Sequence, residues 1–188
     1  MAKWIIDKVV GEFDYSHRVW LQELDTELSC SSQCKCRFHH GHRGKVVVYL
    51  EAEELTGSSE MVIDFNDLKI MTKWIDSTLD HKCILDFNDP LFADTYYHFL
   101  TEDGNVDMSI FETFEEGYSK VNPNVYANMA SHFQEKYESY VMVDFAPTSE
   151  NLSKWMYDVM SMKISKTGIK VHKVEWYETP KSRSTYYG

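Results

Sequence analysis

Residues 30–42 read Cys-Ser-Ser-Gln-Cys-Lys-Cys-Arg-Phe-His-His-Gly-His, so three thiols and three imidazoles fall within one short stretch. Thiolate and neutral imidazole are the side chains that zinc prefers, and their clustering predicts a metal-centred active site. Two interpretations remain open on spacing alone. In the first, Cys30 or Cys34 joins Cys36 and the histidines in a closed structural zinc site. In the second, three histidines hold a catalytic zinc and leave a thiol for the chemistry.

The second interpretation needs another histidine, which the preceding segment supplies. Residues 3–17 are rich in β-branched and aromatic side chains and predict a strand that ends at His17. A second strand is predicted after the cluster, and His40 and His42 would share one of its faces if it extends back that far. These nitrogens would complete a metal site, and Cys36 could then act as a base or nucleophile whose pKa the nearby cation lowers.

The composition is that of a folded protein with a sizeable core. The chain has 188 residues, of which 43% are hydrophobic and 14% aromatic, so we expect a single domain over residues 1–188. No apolar run is long enough to cross a membrane, and charge interrupts the N-terminus before a signal-peptide core could form. We therefore expect a cytoplasmic protein with no membrane partner. The crowding of cysteines beside histidines also fits a reducing compartment better than a disulfide framework.

The charge balance bears on the ligand. A formal net charge of −11 argues against sequence-independent nucleic-acid binding, which needs a basic surface. A small anionic substrate is compatible with this charge, because four basic side chains flank the cysteine-histidine stretch and could make the site locally positive. They are Arg18, Arg37, Arg43 and Lys45.

Two amphipathic helices are predicted. The first follows Asp64, its expected N-cap, and carries apolar residues three or four apart until it ends near Asp80. The second runs from Ser149 to Met162 behind a Pro-Thr pair that marks a helix start. Its apolar stripe is typical of core packing.

The remaining elements complete an α+β pattern. Strands are predicted over 140–145 and 169–178, which gives the order ββα and then βαβ. The segment at about 87–139 has apolar spacing that suggests short helices. We interpret it as a partly helical insertion in the same domain.

Other polar groups are candidates for chemistry. The Asp80-His81 pair at the expected helix end is more often a solvated or capping pair, but its imidazole could transfer protons. Glu150 has an ordinary role as a residue of the first helical turn. Glu178 is by default an exposed strand-end carboxylate, yet it could offer two oxygens to a planar ligand with paired N–H donors.

Six motifs follow one another along the chain. They are Phe13-Asp-Tyr-Ser-His17-Arg18, Cys36-x-x-x-His40-Gly41-His42, Met61-Val-Ile-Asp-Phe65-x-x-Leu68-Lys69, Leu79-Asp80-His81, Pro147-Thr148-Ser149-Glu150-Asn151 and Glu178-Thr179. Their order and spacing resemble those of the 6-pyruvoyltetrahydropterin synthase and 6-carboxytetrahydropterin synthase family over most of residues 3–86 and 140–188. The resemblance implies the tunnelling fold, a four-stranded antiparallel sheet with two helices on one face. It also implies a homohexamer, in which three subunits join their sheets into a barrel and two trimers stack.

The resemblance gives each candidate a role. It implies that Zn²⁺ is held by His17, His40 and His42, with hydroxyl groups of the substrate at the open positions. Cys36 would be the general base, and Asp80 and His81 would relay the other proton. Because the family's site lies between subunits, this pair could serve a neighbour's zinc.

Glu178 would anchor the amino-pyrimidine edge of a pterin, helped by Thr148 and Glu150. Cys30, Cys34 and His39 would then be bystanders.

Cysteine spacing bears on the product. Three residues separate Cys36 from His-Gly-His, which resembles the carboxytetrahydropterin synthases of the queuosine and 7-deazaguanine pathway. Five residues separate Cys34 from it, which resembles the pyruvoyl synthases. We favour Cys36 for its sequence context. The expected enzyme is a zinc-dependent lyase that converts 7,8-dihydroneopterin triphosphate to 6-carboxy-5,6,7,8-tetrahydropterin, acetaldehyde and triphosphate. The alternatives are a 6-pyruvoyltetrahydropterin synthase that eliminates triphosphate, and a non-catalytic pterin-binding or interaction protein.

Overall fold

The computed structural model describes residues 3–29, 32–55 and 57–188, so Cys30 lies outside the described residues. The chain folds into two compact units. The first comprises Met1–Tyr15, His42–Asp80 and Thr148–Gly188. The second comprises Ser16–Gly41 and His81–Pro147, and therefore includes the segment at 87–139.

Strands and α-helices are interspersed along the described residues. The strands are β1 (Trp4–His17), β2 (His40–Ala52), β3 (Lys82–Asp86), β4 (Phe111–Phe114), β5 (Tyr118–Val121), β6 (Tyr140–Val143), β7 (Lys170–Thr179) and β8 (Ser182–Tyr186). The α-helices are α1 (Lys69–Thr78), α2 (Phe92–Thr95), α3 (Pro123–Tyr126), α4 (Ser131–Glu138) and α5 (Ser149–Ile164). None of these helices, over the part of the chain that the structure describes, is long and apolar enough to span a membrane.

The expectation of a four-stranded antiparallel sheet is wrong. Across the described ranges the sheet has eight strands, in the order β4-β5-β6-β3-β1-β2-β7-β8. The unexpected strands are β3, β4, β5 and β8. β3 and β6 pair in parallel, which the long connection between them allows. β8 forms a hairpin with β7, and its polar sequence gave no apolar alternation from which a strand could be predicted.

The first unit buries its core between strands and two helices. β2 and β7 pair antiparallel, and α5 packs against β7 and β8. Ile75 of α1 lies against β1, where a side chain at Gly11 would come within 2.9 Å of it. The two helices meet through the rings of Trp74 and Trp155, edge to face at 5.7 Å. Burial of these apolar faces supplies the main stabilising free energy.

The start of α1 differs from the prediction. Asp64 does accept hydrogen bonds through Oδ1, but from the backbone and side-chain amides of Asn66, so it closes a separate turn. The helix begins later, at Lys69. The apolar face predicted for this helix is buried from Leu68 onward, whereas Phe65 is half exposed and lies outside the core.

The second unit has an aromatic core. Leu85 of β3 and Met142 of β6 are fully buried against side chains from the 87–139 segment. Tyr96 stacks on Tyr137 at 5.7 Å, and both are buried. The short helices expected in this segment are present as α2, α3 and α4.

Candidate metal centre

Three histidines lie at the adjoining ends of two strands. His17 is the last residue of β1, and β2 extends back to His40, so His40 and His42 are on one face, as predicted. One ring nitrogen from each histidine lies within 4.8 Å of the others. Among the described residues, this group could hold a metal ion, and neither Cys34 nor Cys36 belongs to it.

Backbone carbonyl groups orient two of the three rings. Nδ1 of His17 is 2.7 Å from the carbonyl oxygen of Pro147, and Nδ1 of His40 is 2.8 Å from that of Phe38. A carbonyl oxygen can only accept, so each Nδ1 carries the proton and each Nε2 keeps its lone pair. This arrangement is typical of metal-binding histidines. The donor set of neutral imidazoles therefore fits a divalent transition metal.

The two described thiols of the cluster lie around a short helical turn. Cys36 is the middle residue of a 3₁₀ turn, Lys35–Arg37, and its carbonyl oxygen accepts from the N–H of Val19 at 2.8 Å. The sulfur of Cys34 accepts from the N–H of Cys36 at 3.5 Å and caps this turn. Both side chains are half-buried. The Cys34 sulfur thus has a structural contact that the sequence did not indicate.

Asp80 and His81 lie between α1 and β3. Asp80 Oδ1 accepts a hydrogen bond from the N–H of Asp14 at 3.2 Å. His81 is exposed and has a φ of 58°, in the left-handed region that non-glycine residues rarely adopt. This conformation turns the chain from the helix into the next strand.

The start of α5 carries two of the expected substrate-binding residues. Thr148 is the N-cap, and its Oγ1 accepts from the N–H of Asn151 at 3.2 Å. Glu150 is exposed, and Ser149 donates to it at 3.3 Å. Because Pro147 precedes this cap, the turn that starts α5 also presents the carbonyl that binds His17.

Glu178 lies on β7, and its charge acts on Tyr15, which was not among the predicted site residues. Tyr15 is 3% exposed, and its hydroxyl accepts from Nε1–H of Trp176 at 3.0 Å. Burial raises the pKa of Tyr15 above its usual value; the Trp176 bond lowers it less, and the charge of Glu178 raises it further. The period of two that places Tyr15 on the face of His17 was the available signal.

The basic side chains near the cluster are partly neutralised. Nε of Arg18 lies 3.1 Å from Oδ2 of Asp89, and Asp89 is buried. Arg43 lies 3.5 Å from Asp14. A cavity of about 300 Å³ adjoins Arg18, Arg37 and His39. Local positive charge is therefore present but offset by neighbouring carboxylates.

Comparison with known proteins defines the class of enzyme. A sequence model of the 6-pyruvoyl tetrahydropterin synthase family matches residues 6–188, and the chain belongs to this family of enzymes. It is similar over nearly its full length to the 6-carboxy-5,6,7,8-tetrahydropterin synthase of Aquifex aeolicus. The two are 28% identical over 193 residues, which cover 98% of each.

Solved structures show the same fold. An uncharacterized protein from Wolinella succinogenes is 40% identical, with a TM-score of 0.91 over 100% of this chain and 99% of that one. The 6-pyruvoyl tetrahydropterin synthase of Caenorhabditis elegans is 22% identical, with a TM-score of 0.54 over 100% and 97% of the two chains. The second likeness is one of fold alone. The family resemblance inferred from the six motifs is confirmed.

Proposed function

We propose that this protein is a zinc-dependent lyase of queuosine or 7-deazaguanine biosynthesis. It converts 7,8-dihydroneopterin triphosphate and water to 6-carboxy-5,6,7,8-tetrahydropterin, acetaldehyde and triphosphate. The proposal rests on one observation. One ring nitrogen from each of three histidines lies within 4.8 Å of the others, and Nδ1 of His17 and of His40 donates to a backbone carbonyl oxygen. The full-length similarity to the Aquifex enzyme of that name supports the choice of product.

The bound metal and the residues that hold it would have different roles. Zn²⁺, when bound by His17, His40 and His42, would acidify the side-chain hydroxyls of the substrate and polarise a developing carbonyl. The protein's contribution is to keep the three rings oriented before the ion arrives. The carbonyl of Pro147 and that of Phe38 do this for two of them.

Proton transfer is assigned to Cys36 and to the Asp80-His81 pair. The Cys36 thiolate removes a proton from the substrate side chain, and His81, oriented by Asp80, relays the other. Cys36 is preferred to Cys34 for its sequence context, and the Cys34 sulfur has a capping contact with the N–H of Cys36. Assigning the chemistry to Cys36 leaves that capping contact intact.

Substrate binding is assigned to the end of β7 and the start of α5. Glu178 accepts two N–H bonds from the amino-pyrimidine edge of the pterin, a bidentate and charge-assisted contact. Thr148 and Glu150 contribute from the N-terminus of the helix. We further propose a homohexamer, because assembly of the family's sites needs neighbouring subunits.

A second candidate is a 6-pyruvoyltetrahydropterin synthase, which eliminates triphosphate from the same substrate. It is favoured by the five-residue spacing of Cys34, which lies half-buried beside Cys36. In this case Cys34 would be the base. The two candidates therefore differ in product and in the cysteine that matters.

The deciding experiment is product analysis with zinc-loaded protein. Purified enzyme is incubated with 7,8-dihydroneopterin triphosphate, and the products are identified by mass spectrometry with acetaldehyde measured separately. We expect the carboxy product and acetaldehyde in equal amounts. The pyruvoyl compound as sole product would support the second candidate, and neither product from metal-loaded protein would reject both.

Substitution of one proposed ligand, His40→Ala, tests the metal site, and Cys36→Ala is its matched control. We expect His40→Ala to lose zinc by elemental analysis, whereas Cys36→Ala retains zinc. Loss of zinc in both would instead indicate a thiolate ligand and contradict the proposed triad.

A further inference from the structure

The ring of Tyr15 is fixed from several sides. It packs against Phe13 at 5.7 Å and meets Trp176 edge to face at 5.2 Å between ring centroids. Its hydroxyl accepts the indole N–H of Trp176 at 3.0 Å. Such a ring, 3% exposed and bonded at its tip, cannot rotate without breaking these contacts.

The same ring lies beside a metal-binding histidine. Its centroid is 5.7 Å from that of the His42 imidazole, and the planes are inclined by 41°. At this distance a displacement of one ring is transmitted to the other, because close-packed groups have no space to absorb it.

Gly44 makes the position of the ring possible. A Cβ at Gly44 would lie 2.8 Å from Cε1 and 3.1 Å from Cδ1 of Tyr15. Such a contact is shorter than van der Waals packing permits, so the ring fills the space that a side chain at position 44 would take. Gly44 follows His42 by two residues on β2 and shares its face.

We propose that Tyr15 is a positioning residue for metal binding, whose ring, seated on Gly44, holds the His42 imidazole in the orientation that completes the triad. The inference rests on the metal site of the proposed function. Carbonyl groups orient His17 and His40, and an aromatic ring has the corresponding role for His42.

The test is a double-mutant cycle on metal affinity. Zn²⁺ binding to purified apoprotein is measured by competition with a chromophoric chelator for Tyr15→Ala, Gly44→Ala and the double variant. Each single variant is expected to bind Zn²⁺ about 10–100-fold more weakly, as for other residues that orient metal ligands. The double variant should bind no more weakly than Tyr15→Ala, because removing the ring removes the clash at position 44. Additive losses would overturn the proposal.

A spectroscopic readout separates positioning from general loss of structure. Co²⁺ bound in place of zinc reports coordination geometry in its visible spectrum, and we expect altered bands in Gly44→Ala. Tyr15→Phe keeps the ring, so its spectrum and affinity should stay near those of the unmodified protein. If Tyr15→Ala does not fold, the test rests on Gly44→Ala and Tyr15→Phe. Unchanged Zn²⁺ affinity and an unchanged Co²⁺ spectrum in Gly44→Ala would then overturn the proposal.

The matched control is Tyr49→Ala. This substitution removes a tyrosine of β2 whose hydroxyl donates to Glu175 at 3.1 Å, and it should leave Zn²⁺ affinity unchanged. Failure of the unmodified protein to bind metal would reject the proposed zinc site itself. Normal metal binding in Tyr15→Ala would reject only the role of Tyr15.

Discussion

Cys34 and Cys36 are assigned different roles, and this difference can be tested by substitution. Cys36→Ala should lower turnover by about 10²–10⁴-fold, the usual contribution of a general base, and keep its metal. Cys34→Ala loses the sulfur contact to the N–H of Cys36 and should retain most of its turnover. Initial rates and zinc content of both variants check this. Loss of activity in Cys34→Ala alone would contradict the assignment.

Glu175 should make stability sensitive to acid. The carboxylate is 3% exposed, and its burial works to raise its pKa. Hydrogen bonds from Lys173, Tyr177 and Tyr49 outweigh burial, so the pKa lies below the ordinary value of 4.5. A carboxyl group with a depressed pKa stabilises the fold above its unfolded pKa, and this stability is lost as the pH falls through the folded value.

The measurement is urea unfolding at a series of pH values below about 6. Glu175→Gln should be less stable than the unmodified protein near neutral pH, and its stability should fall less steeply toward acid. An identical slope in the two proteins would show that Glu175 is not responsible.

At the level of single residues, the sequence predicted the three histidines that the structure groups together, but not the groups that orient them. His17, His40 and His42 stand out because strand periodicity places them on predictable faces. The carbonyl groups of Phe38 and Pro147 carry no sequence signal, since every residue has one. The sequence indicated Tyr15 only as an apolar residue of a strand. Its contact with Gly44 depends on how β1 and β2 lie beside each other in the sheet.

Among the elements, the end of α1 offers a test that separates backbone from side chain. His81 has a φ of 58°, which costs a non-glycine residue about 1 kcal/mol. His81→Gly should therefore be more stable than His81→Ala by about that amount, while both lose the imidazole and the turnover that depends on it. Urea unfolding and initial rates give the two readouts. Retained turnover in either variant would contradict the proton relay.

Element boundaries were predicted where periodicity and capping agreed. α5 begins after Thr148 as expected, because its cap and its apolar stripe start together. α1 begins later than expected because Asp64 uses its carboxylate to close a turn of its own. β8 is polar and lies at the sheet edge, where pairing with β7 and not burial determines the strand.

For the molecule as a whole, the 87–139 segment contributes core and not only surface. Tyr96 and Tyr97 are adjacent, yet Tyr96 is fully buried and Tyr97 is 48% exposed. Tyr96→Ala should lower the free energy of unfolding by about 3–5 kcal/mol, as for other large aromatic truncations. Tyr97→Ala should change it by less than about 1 kcal/mol. Chemical denaturation of both variants tests this, and equal effects would contradict the assignment of the core.

The eight-stranded sheet could not be predicted from local patterns. β4 pairs with β5, and each has only four residues, without the continuous apolar run that predicted β6. A four-residue strand holds too few residues for its periodicity to be distinguished from a turn of helix. The longer strands β1, β2 and β7 were predicted because each has enough residues for its periodicity to be recognised.

The contacts that orient the histidines join distant parts of the chain. His17 meets Pro147 across 130 residues, and Tyr15 meets Trp176 across 161 residues. During synthesis the histidines therefore leave the ribosome long before the groups that orient them, and such long-range contacts also form slowly. A nascent chain would offer loose imidazoles, which favour Cu²⁺ over Zn²⁺ by intrinsic affinity. For the proposed zinc site, we expect specific metal binding to require the completed chain, in which geometry and not donor type selects the ion.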